Sequence, residues 1–182
     1  MTVISPADCR ECEEVIRYAS LHNGPMYIRI SRSNVADIFD EHYHFNIHKA
    51  VVVEKGSDIS LFTHGETLAH VLLAAEELKK EGISVDVVHI PVIKPLDFQT
   101  VIESVKKTKF GVVVENHSVV GGLGTAVCET LASRYPSKIY RIGIHDEFGQ
   151  SGKAEDLLEY YGLDSKTLAK RIRTMYINEQ GK

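Results

Sequence analysis

The chain has 182 residues, enough for one domain with a substantial core or one domain plus a fragment. Hydrophobic residues make up 43% and charged residues 25%, the balance of a soluble globular protein, and a formal net charge of -4 argues against a general nucleic-acid binder or a basic membrane-surface binder. No apolar run approaches bilayer-spanning length, the N-terminal MTVISPADC is not a signal peptide, and an odd count of three cysteines does not suggest a disulfide scaffold, so a reducing cytoplasm is the expected compartment.

In chain order, residues 2–4 form a short β-branched run. Ser5, Pro6 and Asp8 then read as a helix start, with the cap at Ser5 and proline at the first helical position. Cys12, Val15, Ile16 and Ala19 follow at helical spacing and predict one apolar face. His22-Asn23-Gly24-Pro25 ends that helix, and residues 26–30, MYIRI, predict a strand closing at Ser31-Arg32. One helix cannot cover both faces of a strand pair, so residues 1–32 are expected to be the tail of a larger domain whose beginning is missing. Residues 33–48 read as a linker, packed by Phe39 and Phe45.

From Lys49 the pattern is regular, and residues 49–182 are expected to form one domain. Strands are predicted at 50–54 and 59–63, joined by Lys55-Gly56-Ser57-Asp58, and so short a link implies an antiparallel hairpin. A helix over 66–80 follows. Leu68, Val71, Leu72, Ala75 and Leu78 form its buried stripe, Glu76 and Lys80 an i,i+4 pair, and Gly82 its stop. Further strands are predicted at 85–90, 111–115 and 139–144. Helices are marked by Phe98, Val101, Ile102 and Val105; by Ala126, Val127, Thr130 and Leu131; by Ala154, Leu157, Leu158 and Tyr161; and by Leu168, Ile172 and Met175. This alternation predicts a three-layer α/β/α sandwich around a five-stranded, mostly parallel sheet with one antiparallel strand, preceded by a strand–helix–strand fragment.

Residues 111–124, GVVVENHSVVGGLG, read as a buried parallel strand running into a glycine-rich loop and a helix start, the first place to look for a ligand. Glu115, His117, Gly121, Gly122 and Gly124 are its candidate residues. A dinucleotide fingerprint fails on spacing. Residues 116–120 intervene between strand and glycines, and Val127 is bulky where the third small residue belongs; Asp146 merely imitates the ribose-binding acid. Close helix–sheet packing and a tight turn explain the glycines better. His64, His89, His117 and His145 all fall near carboxyl ends of predicted strands, with Glu66, Glu115 and Asp146 nearby. No close histidine pair occurs among them, and no metal site is expected. Cys9-x-x-Cys12 has the spacing of a redox motif, yet Cys12 shares the stripe of Val15, which favours core packing. Arg32, just past a strand end beside Ser31 and near Arg29, has the chemistry to grip an anion, although the residue types alone describe an ordinary surface arginine.

Several blocks together resemble a known family. The run 5–32, SPADCRECEEVIRYASLHNGPMYIRISR, resembles the end of the pyrimidine-binding domain of transketolases. ISLFTHGE, AAEELKKEGISVDVVHIPVIKPLD, VVVENHSVVGGLGTAV and RIGIHDEFGQSGKAEDLLEYYGL resemble, in order, the C-terminal domain of that family. The chain is most similar to the C-terminal subunits of split bacterial and archaeal transketolases. The resemblance implies a thiamine-diphosphate- and magnesium-dependent enzyme of the pentose phosphate pathway, moving a two-carbon ketol unit between sugar phosphates. It implies that Arg32, the arginine of the Ser31-Arg32 pair, binds the substrate's phosphate. That pair favours transketolase over deoxyxylulose-phosphate synthase and the beta-type subunits of 2-oxoacid dehydrogenases, which share the domain plan. The family's thiamine-activating glutamate would lie upstream of Met1, and no GDG motif occurs here. The resemblance therefore implies no catalytic residue and no firm cofactor contact in this fragment, which alone is expected to be inactive, structural and dimerising. Its implied partners are the rest of the pyrimidine domain, a diphosphate-binding N-terminal subunit or domain, and a second copy. A non-catalytic interaction domain is the alternative.

Overall fold

The computed structural model describes residues 1–108 and 110–181. In chain order the elements are β1 (Thr2–Ile4), α1 (Cys9–Leu21), β2 (Met26–Ile28), β3 (Val51–Glu54), β4 (Ile59–Thr63), α2 (Thr67–Lys80), β5 (Val85–His89), β6 (Val92–Lys94), α3 (Phe98–Thr108), β7 (Phe110–Ser118), α4 (Leu123–Arg134), β8 (Lys138–Ile144), α5 (Ala154–Tyr160) and α6 (Ser165–Gln180). The strands form a five-stranded sheet in the order β3-β5-β4-β7-β8 and a three-stranded sheet in the order β2-β1-β6.

Side chains alternate across the large sheet, and each face finds its own helices. Ile59, Leu61, Val85, Val87, Val112 and Val114 pack with Leu68, Val71 and Leu78 of α2 and Leu168 and Ile172 of α6. Phe62, Val88 and Val113 face the other way, onto Val101 and Val105 of α3 and Leu123, Val127 and Leu131 of α4. The result is the α/β/α sandwich. Its inner strands β4 and β5 are buried at every position, as the unbroken apolar runs require.

One strand of the five is antiparallel, but it is not half of a hairpin. β3 pairs with β5, and β5 lies between β3 and β4. The link after β3 passes under the start of β5. A Cβ on Gly56 would come within 2.2 Å of the Val85 carbonyl carbon, so only glycine lets the two backbones cross so closely. Asp58 N–H donates to Ser84 O at 2.8 Å, and Ser84 N–H returns a bond to the Asp58 carboxylate at 2.7 Å. The glycine that looked like a hairpin turn is a crossing point.

Three local expectations change near the N-terminus and along α2. Asp8, not Ser5, caps α1, accepting from Glu11 N–H at 2.8 Å. Ser5 instead continues the extended chain, its N–H bonded to Pro91 O and its carbonyl accepting from Gly65 N–H. The core face of α1 presents Glu11 and Val15, while Ile16 is exposed and Cys12 half-buried. On α2, Lys80 bonds Glu77 at 2.6 Å rather than Glu76.

The short run between Pro91 and Pro95 forms β6, which sequence patterning missed because three residues between prolines look like a loop. β6 pairs antiparallel with β1, so β1 is flanked on both sides and Ile4, Val15 and Val92 share a small core. Residues 33–48 add no strand or helix but are stitched to α1. The second oxygen of Asp8 accepts from Ile38 N–H (2.8 Å) and Phe39 N–H (2.7 Å), Tyr43 O–H donates to Glu11 at 2.5 Å, and Phe45 packs on the small core. Glu11, fully buried, also accepts from Ala7 N–H at 2.7 Å and meets His89 at the end of β5, again at 2.7 Å. The small sheet, the linker and the large sheet thus meet at the carboxyl edge of β4, β5 and β7.

Candidate functional site

Two features occupy that carboxyl edge, and they behave oppositely. The first is the glycine loop after β7. Glu115 is fully buried, and its two oxygens accept from Leu123 N–H (2.7 Å) and Gly124 N–H (2.9 Å), the first amides of α4. A helix N-terminus presents unpaired N–H groups and a partial positive charge that attract an anion. Here the anion is a side chain of the preceding strand. Burial pushes the Glu115 carboxyl above its usual range, opposed by the two amide bonds and by the nearby His117 and Arg141. The glycines are small to make room for it. A Cβ on Gly122 would lie 2.0 Å from a Glu115 oxygen, and one on Gly124 would meet Arg141 Cδ at 2.8 Å and Glu115 at 3.0 Å. Gly121 takes φ +78, where side chains rarely fit, and Arg141 donates to Val119 O at 3.0 Å, holding the loop from the β8 side. The loop is an anion cradle already filled from within. His117 is exposed, with its ring against Ser118 O, and reaches neither the Glu115 carboxylate nor the glycines by a hydrogen bond.

The second feature is a cavity of about 310 Å³ between the end of β2 and the ends of β4 and β7, lined by Arg29, Ser31, Arg32, Ser33, Glu66 and Asn116 among others. Arg29 donates through both terminal nitrogens to Asn116, to Oδ1 at 2.8 Å and to the main-chain oxygen at 2.9 Å. Asn116 Nδ2 donates in turn to Glu66, and the other Glu66 oxygen accepts the Ser31 hydroxyl proton. Ser31 Oγ also accepts from Ser33 N–H at 3.1 Å. Gly65, at φ +60, brings Glu66 to this place; a Cβ there would come within 2.5 Å of Ser5 Oγ, and Gly65 N–H is bonded to Ser5 O. Arg32 is exposed, lines the same cavity, and has no hydrogen bond or ion pair among the described residues. Arg29, Asn116, Glu66 and Ser31 are bonded to one another around it, and the Arg32 guanidinium is not part of that set.

The four strand-end histidines differ in burial and make no metal-ligand group among the described residues. His64 and His89 are buried, and His117 and His145 are exposed. His64 is held neutral, its pKa lowered to about 3 by burial first and then by Arg29, His89 and His117, and both its ring nitrogens lack a partner among the described residues. Among the described residues no group of three or more His, Cys, Asp or Glu side chains is placed to hold a metal ion, and no helix is long and apolar enough to cross a membrane. Cys9 and Cys12 are free thiols beside a surface groove, and burial raises the Cys12 pKa, the opposite of an activated thiolate.

Sequence reasoning singled out Arg32 but not the set Arg29, Asn116, Glu66 and Ser31. Glu66 follows strand β4 and Asn116 lies in strand β7 shortly before its end at Ser118, so both belong to the carboxyl edge. What makes them partners is that β4 and β7 are neighbours, and a one-dimensional pattern does not state that order.

Comparison with known proteins adds the following. Residues 48–168 match the family model described as transketolase, C-terminal domain. A Methanocaldococcus jannaschii protein named as a transketolase C-terminal section is 44% identical over 176 residues, covering 94% of this chain and 54% of that one. A 6-deoxy-6-sulfo-D-fructose transketolase subunit of Clostridium sp. strain MSTE9 is 36% identical over 170 residues, covering 93% and 53%. A solved structure titled as a split gene transketolase, inactive beta4 tetramer, superimposes with a TM-score of 0.91 at 36% identity, covering 96% of this chain and 57% of that one. The chain spans about half the length of the curated relatives it matches.

Proposed function

This chain belongs to the transketolase C-terminal domain family, and we propose that it is the C-terminal portion of a thiamine-diphosphate-dependent enzyme that transfers a two-carbon ketol unit between sugar phosphates, with Arg32 as the grip for the substrate's phosphate. The observation that carries this reading is the state of Arg32. It is an exposed guanidinium on a cavity whose other charged groups, Arg29 and Glu66, are already engaged. A guanidinium offers a planar fork matched to two oxygens of a phosphate, and the charge assistance makes such bonds strong. A relative whose named substrate is a 6-sulfo sugar supports an anion-binding role at this kind of site.

No described residue of this chain is proposed to hold the cofactor. The anion cradle at the start of α4 is filled by Glu115, and no group of three or more metal-ligating side chains occurs among the described residues. No step of the chemistry is assigned to residues of this chain beyond binding and orienting substrate. Thiamine diphosphate and its divalent metal are proposed to be held by a diphosphate-binding partner. The solved relative titled an inactive tetramer supports reading the isolated chain as inactive.

Reconstitution tests the assignment. This chain, joined to the rest of the pyrimidine domain and mixed with the diphosphate-binding partner, thiamine diphosphate, magnesium, a ketose phosphate and an aldose phosphate, is expected to transfer ketol groups, and either protein alone is not. No transfer by the mixture would overturn the ketol-transfer reading, and transfer by this chain alone would overturn its dependence on a partner.

A further inference from the structure

We infer that Glu66 and Asn116 are positioning residues which hold the Ser31–Arg32–Ser33 segment so that Arg32 faces an incoming phosphate; this rests on the phosphate-binding reading of Arg32. The geometry points to it because the bonds bracket Arg32 and leave it out. Arg29 is fixed by two bonds to Asn116, Ser31 by its bond to Glu66, and Ser33 by its N–H on Ser31 Oγ. Residues on both sides are tied, while the side chain between them is exposed and uncommitted among the described residues.

The donors and acceptors admit one arrangement. Arg29 only donates, so Asn116 must present Oδ1 to it, which turns Nδ2 toward Glu66. Glu66 only accepts while ionised, so it takes Nδ2 on one oxygen and the Ser31 hydroxyl on the other. Glu66 stands at the N-terminus of α2, where a carboxylate would ordinarily cap its own helix, yet it makes no capping bond. Its carboxylate is used across the junction instead. The family's C-terminal domain thereby reaches the substrate end of the preceding segment, with β7 and the start of α2 aiming a side chain that leaves β2.

Charge supports the same role. Arg29 and Glu66 offset each other through Asn116, so the anion meets the charge of Arg32 rather than a general basic patch. Tying the residues on both sides of Arg32 lowers the ordering cost left to meet when the ligand arrives.

The test compares KM for xylulose 5-phosphate with KM for xylulose in the reconstituted enzyme. Glu66→Ala and Asn116→Ala are each expected to raise the phosphorylated-to-free KM ratio about tenfold, and Glu66→Gln, which keeps one acceptor oxygen, to raise it less. In an Arg32→Ala background the Glu66→Ala change is expected to leave the ratio as Arg32→Ala alone sets it, because there is no guanidinium left to aim. Glu66→Gln guards against a folding defect in the alanine variant. If Arg32→Ala shifts the ratio but neither Glu66→Ala nor Asn116→Ala does, or if their effects simply multiply with it, the positioning role is overturned and the phosphate reading stands. If Arg32→Ala itself leaves the ratio unchanged, the phosphate reading fails, and the positioning role fails with it.

Discussion

Replacing Glu115 by alanine is expected to destabilise the domain by about 2–4 kcal/mol, measured as a drop in the urea midpoint at unchanged slope. The carboxylate satisfies Leu123 N–H and Gly124 N–H, and both residues are buried. Alanine leaves two buried donors unpaired, each costing about 1–3 kcal/mol, and removes a favourable charge at the helix N-terminus. Part of this is offset because a buried, half-compensated carboxylate no longer has to be kept out of water, the same burial that raises its pKa. The offset is the smaller quantity because two N–H bonds are lost at once. Glu115→Gln retains one acceptor oxygen and is expected to lose about half as much. A Glu115→Ala variant as stable as the parent would show that the loop does not need its internal anion, and the reading of Gly122 and Gly124 as space for that carboxylate would go with it.

Acid is expected to weaken the fold well before carboxylates titrate. His64 is 2% exposed and its pKa is lowered from 6.5 to about 3. A histidine depressed in the folded state binds its proton in the unfolded chain first, so its contribution is full above about pH 6.5 and is lost as pH falls toward about 3. For this shift the loss amounts to about 2 kcal/mol by about pH 5. The ring nitrogens have no partner among the described residues, so His64→Leu sacrifices little bonding and is expected to flatten the pH dependence between 6.5 and 5. Stability measured by chemical denaturation across that interval decides it. An identical slope in parent and variant would assign the acid sensitivity elsewhere.

Periodicity carried the sandwich because period-two and period-3.6 patterns report directly which faces are buried. It located β4, β5, β7 and β8 and their helices; the expectation of one antiparallel strand comes instead from the short link at residues 55–58, read as a hairpin, whereas β3 pairs with β5 and not with β4. Strand order is a different kind of information. Gly56 reads locally as a turn, and only the neighbouring Val85 backbone, 29 residues on, shows that it is a crossing. β6 was invisible for a related reason: three residues between prolines become a strand because β1 offers an unpaired edge. The apolar stripe placed on Cys12 and Ile16 failed because Glu11 is the buried residue of that turn, drawn in by Ala7, Tyr43 and His89 from three separate segments. An acidic residue is not scored as core by any pattern, and two of its partners, Tyr43 and His89, are tens of residues away.

The candidate site divides in the same way. Residues 111–124 look like a ligand cradle in sequence because the glycines and the helix start are real. The occupant is Glu115 of β7, a candidate in the sequence whose bonds to the first amides of α4 only the fold reveals. Arg32 was recognisable through its Ser31-Arg32 pair. The bonds that surround it join residues 29, 31, 66 and 116, and they follow from three-dimensional adjacency. Glu115 fills the cradle after β7, so the proposed external anion falls to Arg32, which lines an open cavity and has no hydrogen bond or ion pair among the described residues.

The most direct test of that claim is the Arg32→Ala variant in the reconstituted enzyme, assayed with xylulose 5-phosphate and with xylulose. Loss of a charge-assisted contact worth about 1.5–3 kcal/mol predicts a KM for the phosphorylated ketose raised about 10- to 150-fold, with the value for the free ketose moved far less. Equal effects on both substrates, or none on either, would contradict Arg32 as the phosphate grip.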